Sequence, residues 1–330
     1  MRDPPRSPDT SFAPGARMST RRRDISLTQL TYFAAAAEHG SMTAAADELF
    51  IAQSAISAAI THLEHQLGVQ LLIRQRAKGL QLTAAGEHFL QRARQILAEL
   101  DDAVASVHSE SLTGRVGVGC FRTLAPFFLP MLVRDLGERA PGLYVDVTEL
   151  TADEVAPALA AHRIEVALTY DLGLEATVRL ERLATVSLYA AVAQHHRLAG
   201  RESVSLAELA EEPLVLLDLP LSRDYFLRTF TDHGLQPSIR YRFESYEAVR
   251  AMVAMGLGFT LLNQQPKIES TYAGGSLYHI PILEPTPSLD IVLAWNDDGA
   301  LPTRRARAFA DTCRAAIGGA DAATESTSHA

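Results

Sequence analysis

Residues 27–83 read LTQLTYFAAAAEHGSMTAAADELFIAQSAISAAITHLEHQLGVQLLIRQRAKGLQLT. Apolar residues recur at helical spacing in short segments joined by tight turns, and a basic segment containing one glycine follows. This order is typical of a helix-turn-helix followed by a two-stranded wing, a unit that places one helix in the major groove of DNA. The stretch therefore predicts a winged helix-turn-helix near one end of the chain.

The first two helices are indicated by apolar spacing and by residues that begin or end helices. The spacing predicts a first helix over about Leu27–Glu38, which His39 and Gly40 end. Ser41 is a good N-cap for a second helix over residues 42–50, whose alanines are small enough for close helix packing. Two short helices in this order form the scaffold on which a third helix can be presented.

The third helix, predicted over about residues 52–68, carries the residues expected to read DNA. An apolar stripe formed by its isoleucines and leucines faces the core, and Gly68 ends the helix. Gln53, Ser54 and Ser57 lie in its first turns, the part of such a helix that approaches base edges. The residues of the three helices predicted to contact DNA are Gln29, Ser41, Gln53, Ser54, Ser57 and Thr61.

A basic hairpin is predicted after the third helix. Leucines on both sides would hold a short two-stranded wing against the helices, with Gly79 in the turn. Arg74, Arg76 and Lys78 would then lie at the exposed edge, where we expect contacts with phosphates or the minor groove. The alternative is a solvated basic loop without a nucleic-acid partner.

A long amphipathic helix is predicted to follow the wing. Thr83 is a good cap, and the helix runs through TAAGEHFLQRARQILAELDDAVASV with one apolar stripe. A one-sided helix that projects from a small domain gains stability by pairing with a second copy of itself. Packing of the stripe within its own chain is the alternative.

Composition and charge separate the two ends of the chain. The 330 residues are 47% hydrophobic and 21% charged, as in globular proteins, and are enough for two or three cores. The net charge of -9 divides into +2 over residues 1–100 and -11 over the remainder. Weak basicity at the DNA-binding end implies that phosphate attraction alone is modest, so binding should need a dimer or more.

The ends of the chain and its two cysteines give further expectations. Residues 1–24 are rich in Pro and Arg and predict a disordered leader, with Met18 as an alternative start; residues 318–330 predict a disordered tail. There is no apolar run of the roughly 20 residues that span a bilayer. Cys120 and Cys313 exclude a disulfide scaffold and fit a reducing cytoplasm. We expect Cys120 to be a small, buried pocket residue rather than a redox sensor.

From residue 115 onward the pattern becomes strand–helix–strand, which predicts a parallel sheet with helices on both faces. A second set of strands and helices begins near residue 180, and the last strand and helix return to the first set. The expected boundaries are a winged domain over 25–82, a dimerising helix over 83–112 and an effector-binding domain over 113–317. Within the last, lobe 1 is predicted over about 113–180 and 277–317, and lobe 2 over about 181–276.

Ligands in such sheets sit beyond the carboxyl ends of strands, where helices begin. Strand 115–119 and strand 214–217 both lead into predicted helix starts, whose N–H groups and dipoles favour an anion. Hydroxyl groups, two arginines that could bind a carboxylate, and a tyrosine after strand Val166–Thr169 would complete the site. The predicted effector-binding residues are Phe121, Arg122, Thr123, Tyr170, Asp218, Ser222 and Ser245. Arg223 is a further candidate for binding the carboxylate.

These positions have alternative readings. Thr123 and Ser222 could serve only as helix N-caps. Arg122 and Arg223 could form surface salt bridges instead of binding a ligand. For Phe121 and Tyr170, packing in the core is an equally good interpretation. Asp218 would repel an anion and indicates an effector that also offers hydrogen-bond donors.

The stretch over residues 27–90 and the segment GRVGVGCFRTLAPFFLPMLVRDLGERAPGLYVDVTEL over residues 114–150 resemble LysR-type transcriptional regulators, and the similarity continues to about residue 315. The resemblance implies a winged helix-turn-helix, a dimerising linker helix and a two-lobed α/β domain similar to periplasmic binding proteins. It also implies tetramers, effector contacts at Thr123 and Ser222, and effector-dependent DNA contacts. Many members have Ser or Thr where this chain has Ala52, and Arg where it has Ala58, so the half-site sequence does not follow.

An enzyme is not expected, because the chain contains no nucleophile elbow, Walker-type or dinucleotide-binding glycine motif. His62 and His65 lie on the third helix without the cysteine or acidic residues of a metal site, and no cofactor is predicted. The sequence predicts a cytoplasmic homo-oligomeric regulator with promoter DNA, a small organic acid and RNA polymerase as partners. The competing interpretation is a small-molecule binding module whose N-terminus serves only for assembly.

Overall fold

The computed structural model of the 330-residue chain describes residues 24–75, 79–107, 112–297 and 303–318. The chain divides after Phe89 into two compact units. The predicted leader, the tip of the wing and most of the predicted tail lie outside the described residues. Within the described part, no helix is both long and apolar enough to cross a membrane.

The first unit is a winged helix-turn-helix. Its elements are α1 (Leu27–His39), α2 (Met42–Glu48), α3 (Gln53–Leu67), β1 (Leu72–Gln75), β2 (Gly79–Leu82) and the start of α4 (Ala84–Val107). Ser26 begins α1 with a reciprocal capping box, and Gly40 ends it in the left-handed conformation. Phe33, Ile56 and Leu63 are fully buried and form the core that joins α1 to α3. Helix α2 stops at Glu48, two residues before the predicted end.

Helix α4 begins as predicted, with the Thr83 hydroxyl accepting a hydrogen bond from the Gly86 amide at 2.9 Å. Leu90 and Ala93 are buried, whereas Ile96 and Val104 are 47% and 54% exposed. Among the described residues, the later part of the predicted apolar stripe is therefore largely exposed at Ile96 and Val104.

The second unit contains two lobes. Lobe 1 is a five-stranded sheet in the order β4-β3-β5-β12-β6, covered by three helices. Its elements are β3 (Thr113–Phe121), α5 (Ala125–Arg139), β4 (Gly142–Leu150), α6 (Ala152–Ala160), β5 (Val166–Tyr170), β6 (Val178–Val186), β12 (Leu289–Asn296) and α10 (Arg304–Cys313), which a π-helical turn (Arg314–Gly318) follows. Strands β3, β4 and β5 are parallel.

Lobe 2 has a three-stranded antiparallel sheet in the order β10-β7-β11 and a parallel pair of β8 and β9. Its elements are β7 (Tyr189–Ala193), α7 (Leu206–Ala210), β8 (Pro213–Leu217), α8 (Ser222–Thr231), β9 (Ser238–Phe243), α9 (Tyr246–Ala254), β10 (Thr260–Leu262) and β11 (Leu277–Pro281). One hydrophobic core extends through most of both lobes.

Two predictions about this unit were wrong. The lobe 1 sheet is mixed, because the returning strand β12 runs antiparallel to both β5 and β6. The lobe boundaries also differ: β6 extends lobe 1 to Val186, and β11 pairs with β7 in lobe 2. Strand β9 carries arginines at alternating exposed positions, and β6 carries Arg179, Glu181 and Arg182 among its apolar residues. These charges weakened the apolar signal of both strands in the sequence.

Candidate DNA-binding face and effector cavity

The exposed face of α3 is polar, as the sequence predicted. Gln53, Ser54 and Thr61 are exposed, and Ser57 is half-buried. Together with Ala58, His62 and His65, the residues Ser54, Ser57 and Thr61 line one shallow concave surface of this helix. Ala52 precedes α3 and provides no side-chain cap, so its side chain leaves the first-turn N–H groups uncapped.

Gln29 does not fit its predicted contact with DNA. Its side chain is 6% exposed and accepts a hydrogen bond from the Ser26 amide. The side-chain amide hydrogen-bonds the Nδ1 atom of His62 and donates to Gln66, both on α3. Gln29 therefore holds α1 against the recognition helix. Ser41 caps α2 by accepting from the Ala44 amide, which uses an acceptor site of its hydroxyl but not its proton.

The wing forms the predicted two-stranded hairpin, and Leu71 and Leu72 bury its base. Gly79 has a φ of 74° at the start of β2, and a Cβ there would lie 2.9 Å from the Gly40 carbonyl oxygen. The backbone of Arg74 pairs with Leu80. Arg76 and Lys78 lie outside the described residues, as does the side chain of Arg74, so their DNA contacts stay predictions.

A small cavity of about 20 Å³ lies between the two lobes at the carboxyl ends of β3, β5 and β8, where room for about one water molecule remains. Phe121, Thr123, Tyr170 and Ser222, four of the seven predicted effector-binding residues, line it. The other lining residues are Leu217, Tyr225, Phe226, Tyr246, Leu262, Asn263, Gln264 and Leu289. The structure thus brings together the ends of both lobes that the sequence predicted, around a wall without a charged side chain.

Gln264 is the most unusual residue in the cavity wall. Its backbone carbonyl oxygen accepts hydrogen bonds from the hydroxyls of Tyr189, at 2.6 Å, and Tyr246. Its side chain is only 9% exposed, and its amide nitrogen makes no well-formed hydrogen bond with any described residue. A buried donor of this kind is costly unless something accepts its hydrogen bond.

The tyrosines of the wall stay protonated at physiological pH. Burial is the main cause that raises the pKa of both Tyr225 and Tyr246 to about 12, and it also raises the pKa of Tyr170. Tyr225 donates its proton to the Pro287 carbonyl at 2.9 Å and accepts from Asn263 at 3.0 Å. The cavity therefore offers neutral hydroxyl and amide groups.

The predicted arginines do not line the cavity. Arg122 is paired with Glu154 at 3.9 Å and Glu244 at 3.7 Å, and its side chain is 40% exposed. Arg223 contacts Asp218 at 3.1 Å, and Arg242 contacts the other Asp218 oxygen at the same distance. The salt-bridge interpretation therefore fits the structure, which does not bring Arg122 or Asp218 into the cavity wall. Their contact with the effector stays a prediction.

Three further assignments change. Strand β3 runs on through Phe121, and Leu124, not Thr123, precedes α5 as its N-cap. Leu221 precedes α8, so Ser222 is its first residue rather than its cap. Ser245 caps α9 by accepting from the Ala248 amide, but it does not line the cavity. The hydroxyls of Thr123 and Ser222 are thus not used as helix caps.

Both cysteines belong to the core instead of the cavity. Cys120 and Cys313 are fully buried and have no disulfide partner. Burial raises the pKa of the Cys120 thiol to about 12 and also raises that of Cys313, to which the nearby Cys120 contributes. The prediction that Cys120 is buried is confirmed, but its placement in the pocket was wrong.

A winged helix-turn-helix, a long helix and a two-lobed domain with a cavity between its lobes define a ligand-responsive DNA-binding regulator. Residues 27–87 match the family model described as bacterial regulatory helix-turn-helix protein, lysR family, and residues 109–318 match that of the LysR substrate binding domain. The chain belongs to the LysR family of transcriptional regulators, and it is a regulator rather than an enzyme.

Relatives and solved structures agree along most of the chain. The DNA-binding transcriptional dual regulator OxyR of Escherichia coli K12 is 30% identical over 299 residues, 89% of this chain and 97% of that protein. The crystal structure of HinK, a LysR family regulator from Pseudomonas aeruginosa, is 34% identical, with a TM-score of 0.61 and coverage of 90% and 100%. Full-length CbnR in complex with its target DNA is 27% identical, with a TM-score of 0.51 and coverage of 88% and 99%.

Proposed function

We propose that this LysR-type regulator changes its DNA contacts when a small, uncharged effector binds between the two lobes. The amide nitrogen of Gln264, which is buried in the cavity wall without a well-formed hydrogen bond to a described residue, is the observation that carries the proposal. A bound acceptor would satisfy it, and an effector shifts the regulator between states by binding one of them more tightly.

On the DNA side, we propose that Gln53, Ser54 and Ser57 contact base edges and that Thr61 supports them. Arg74, Arg76 and Lys78 would contact phosphates, and Ser41 would donate to the backbone. The exposed stripe of α4, including Ile96 and Val104, would pair with a second copy, and two such dimers would form a tetramer. Effector binding would then alter the spacing of the DNA-binding units and the access of RNA polymerase to the promoter.

The sequence predicted an anionic effector, and the cavity favours a neutral one. Arg122 and Arg223 are already paired with carboxylates and lie outside the wall. A carboxylate in the cavity would lose its hydration without meeting a cation, which is unfavourable in a mostly apolar site. An uncharged molecule with a hydrogen-bond acceptor fits the groups that are present.

The proposal can be tested with matched probes that differ in charge but little in shape. Binding of formamide and acetamide, compared with formate and acetate, would be followed by thermal shift of the full-length protein and by its DNA footprint. We expect only the amides to raise Tm and alter the footprint. Gln264→Met should weaken that response roughly tenfold, as the loss of one buried hydrogen bond does, without changing DNA affinity in the absence of probe.

Arg122→Gln provides the control, since it removes a cation near the cavity that a neutral ligand does not need. Its response to acetamide should match that of the unaltered protein. A response to acetate but not to acetamide, abolished by Arg122→Gln, would overturn the neutral-effector proposal. Failure of both amides to bind would do the same, while leaving the family's regulatory role intact.

Hydrogen peroxide is a small uncharged molecule, and several relatives carry the name hydrogen peroxide-inducible genes activator. A thiol reacts with peroxide as the thiolate, and burial disfavours that form at Cys120 and Cys313. We therefore expect the double variant Cys120→Ala/Cys313→Ala to respond to peroxide, measured by DNase footprinting, as the unaltered protein does. If peroxide changes the footprint of the unaltered protein but not that of the double variant, the response is thiol oxidation instead.

A further inference from the structure

The turn between α2 and α3 contains a residue in an unusual place. Helix α2 ends at Glu48, and Phe50 follows with a φ of 54°. The Phe50 amide donates to the Asp47 carbonyl at 3.3 Å, and the Ile51 amide donates to the Ala46 carbonyl at 3.0 Å. These two bonds form the Schellman helix ending, in which the left-handed position is usually glycine.

Phe50 is unfavourable at this position for two reasons. Its backbone is in a region that aromatic residues rarely adopt, because the Cβ crowds the chain. Its side chain is also 95% exposed, so it gains almost nothing from burial in this protein. Gly40 and Gly68 occupy the corresponding left-handed positions after α1 and α3. Fold stability alone would favour glycine at position 50 as well.

The position of Phe50 points to what covers it. Phe50 lies three residues before Gln53, at the end of α3 that presents Gln53 and Ser54 to solvent. In helix-turn-helix proteins the N-terminal residues of this helix enter the major groove. Family membership makes this surface a DNA-binding one, and a side chain beside it meets the edge of the groove.

We propose that Phe50 is a DNA-contacting residue that packs its ring against an apolar edge of the operator. Two groups of DNA offer such an edge in reach of the groove: the 5-methyl group of thymine and the deoxyribose. A phenyl ring neutralises no phosphate, so this contact should contribute to affinity without contributing to its salt dependence. Contact with a thymine methyl would also make Phe50 a determinant of half-site sequence.

Phe50→Gly tests the proposal because its effects on folding and binding have opposite signs. Glycine adopts the left-handed conformation without strain, so Tm of the full-length protein should stay equal or rise. Affinity for a duplex selected from a random library by the unaltered protein should fall roughly tenfold, as expected for losing a partly buried aromatic contact. The slope of log affinity against log salt should not change.

Two variants serve as matched controls. His162, in the second unit, also carries a ring side chain on a residue with positive φ. His162→Gly removes that side chain and should leave DNA affinity unchanged. Phe50→Tyr keeps the ring and should retain affinity within about twofold, since the hydroxyl can stay in water. Equal affinity of Phe50→Gly and the unaltered protein would overturn the proposal, as would a lower salt slope.

Replacing each thymine of the selected duplex by uracil separates the two edges. Loss of affinity at one position for the unaltered protein, absent in Phe50→Gly, would assign the contact to that thymine methyl. Insensitivity to every replacement, with the affinity loss of Phe50→Gly intact, would assign it to deoxyribose. If Phe50→Gly lowers Tm instead, Phe50→Asn takes its place, because asparagine also tolerates the left-handed conformation. The proposal then requires that Phe50→Asn weakens DNA binding while Tm is preserved.

Discussion

A Gly86→Ala variant is expected to lose most of the stability of the first unit, and specific DNA binding with it. Gly86 is buried in the first turn of α4, and a Cβ there would lie 2.1 Å from the Leu71 carbonyl oxygen. That oxygen belongs to backbone and already accepts a hydrogen bond from the Thr83 amide. Relief would require the helix to move away from the base of the wing, at a cost of about 3 kcal/mol or more.

Chemical denaturation of the full-length protein, together with gel-shift binding, would measure this effect. Gly137→Ala is the control, because Gly137 is an exposed residue inside α5 whose added Cβ would meet no atom within 4 Å beyond its chain neighbours and the backbone of its own helix. That change should be neutral or stabilise by about 0.5–1 kcal/mol, the helix preference of Ala over Gly. Near-normal DNA binding by Gly86→Ala would show that α4 and the wing adjust more easily than their close contact implies.

The winged unit could be predicted almost completely because its signals are local. Gly40, Ser41 and Gly68 end or begin helices through their own backbone and side-chain chemistry, and the stripe of α3 is visible as a period in the sequence. Gln29 was assigned wrongly because its partners, His62 and Gln66, are 33 and 37 residues away. Nothing in the local pattern shows that its side chain is consumed inside the fold.

The α/β unit was harder because its directions and pairings depend on distant segments. A strand's sequence does not state whether its partner runs parallel, so the antiparallel return of β12 was not evident. The cavity was placed correctly by the general rule about strand ends, and Thr123 and Ser222 followed from it. Tyr225, Asn263 and Gln264 were missed because they lie on α8 and in the segment after β10, away from the strand ends considered.

The prediction of an anionic effector was drawn in part from Arg122, whose partners lie far away in the sequence. Arginine beside a helix start suggests an anion site when read alone. Arg122 pairs with the carboxylates of Glu154 and Glu244, which lie 32 and 122 positions further along the chain. Only the folded arrangement reveals that this cation is already paired.

Arg250→Ala is expected to have the second large effect, on lobe 2 and on the cavity together. Arg250 is 5% exposed and donates to the Glu247 carboxylate at 2.6 Å. It also donates to three successive carbonyls in the segment that follows Gln264, those of Ile268, Glu269 and Ser270. Truncation leaves a half-buried carboxylate and these carbonyls without their cation, which costs about 3 kcal/mol.

The same variant should loosen the cavity wall, since the segment from Gln264 onward depends on that guanidinium. Amide hydrogen exchange is expected to rise over residues 264–272, and acetamide should bind more weakly, while DNA affinity without probe stays near normal. Arg250→Lys keeps the charge, but a single ammonium cannot reach Glu247 and the carbonyls together. The stability and acetamide affinity of Arg250→Lys should therefore lie between those of Arg250→Ala and the unaltered protein. If Arg250→Ala unfolds at the same denaturant concentration as the unaltered protein, the segment is held chiefly by other contacts. The foremost of these are the hydrogen bonds that the hydroxyls of Tyr189 and Tyr246 donate to the backbone carbonyl of Gln264.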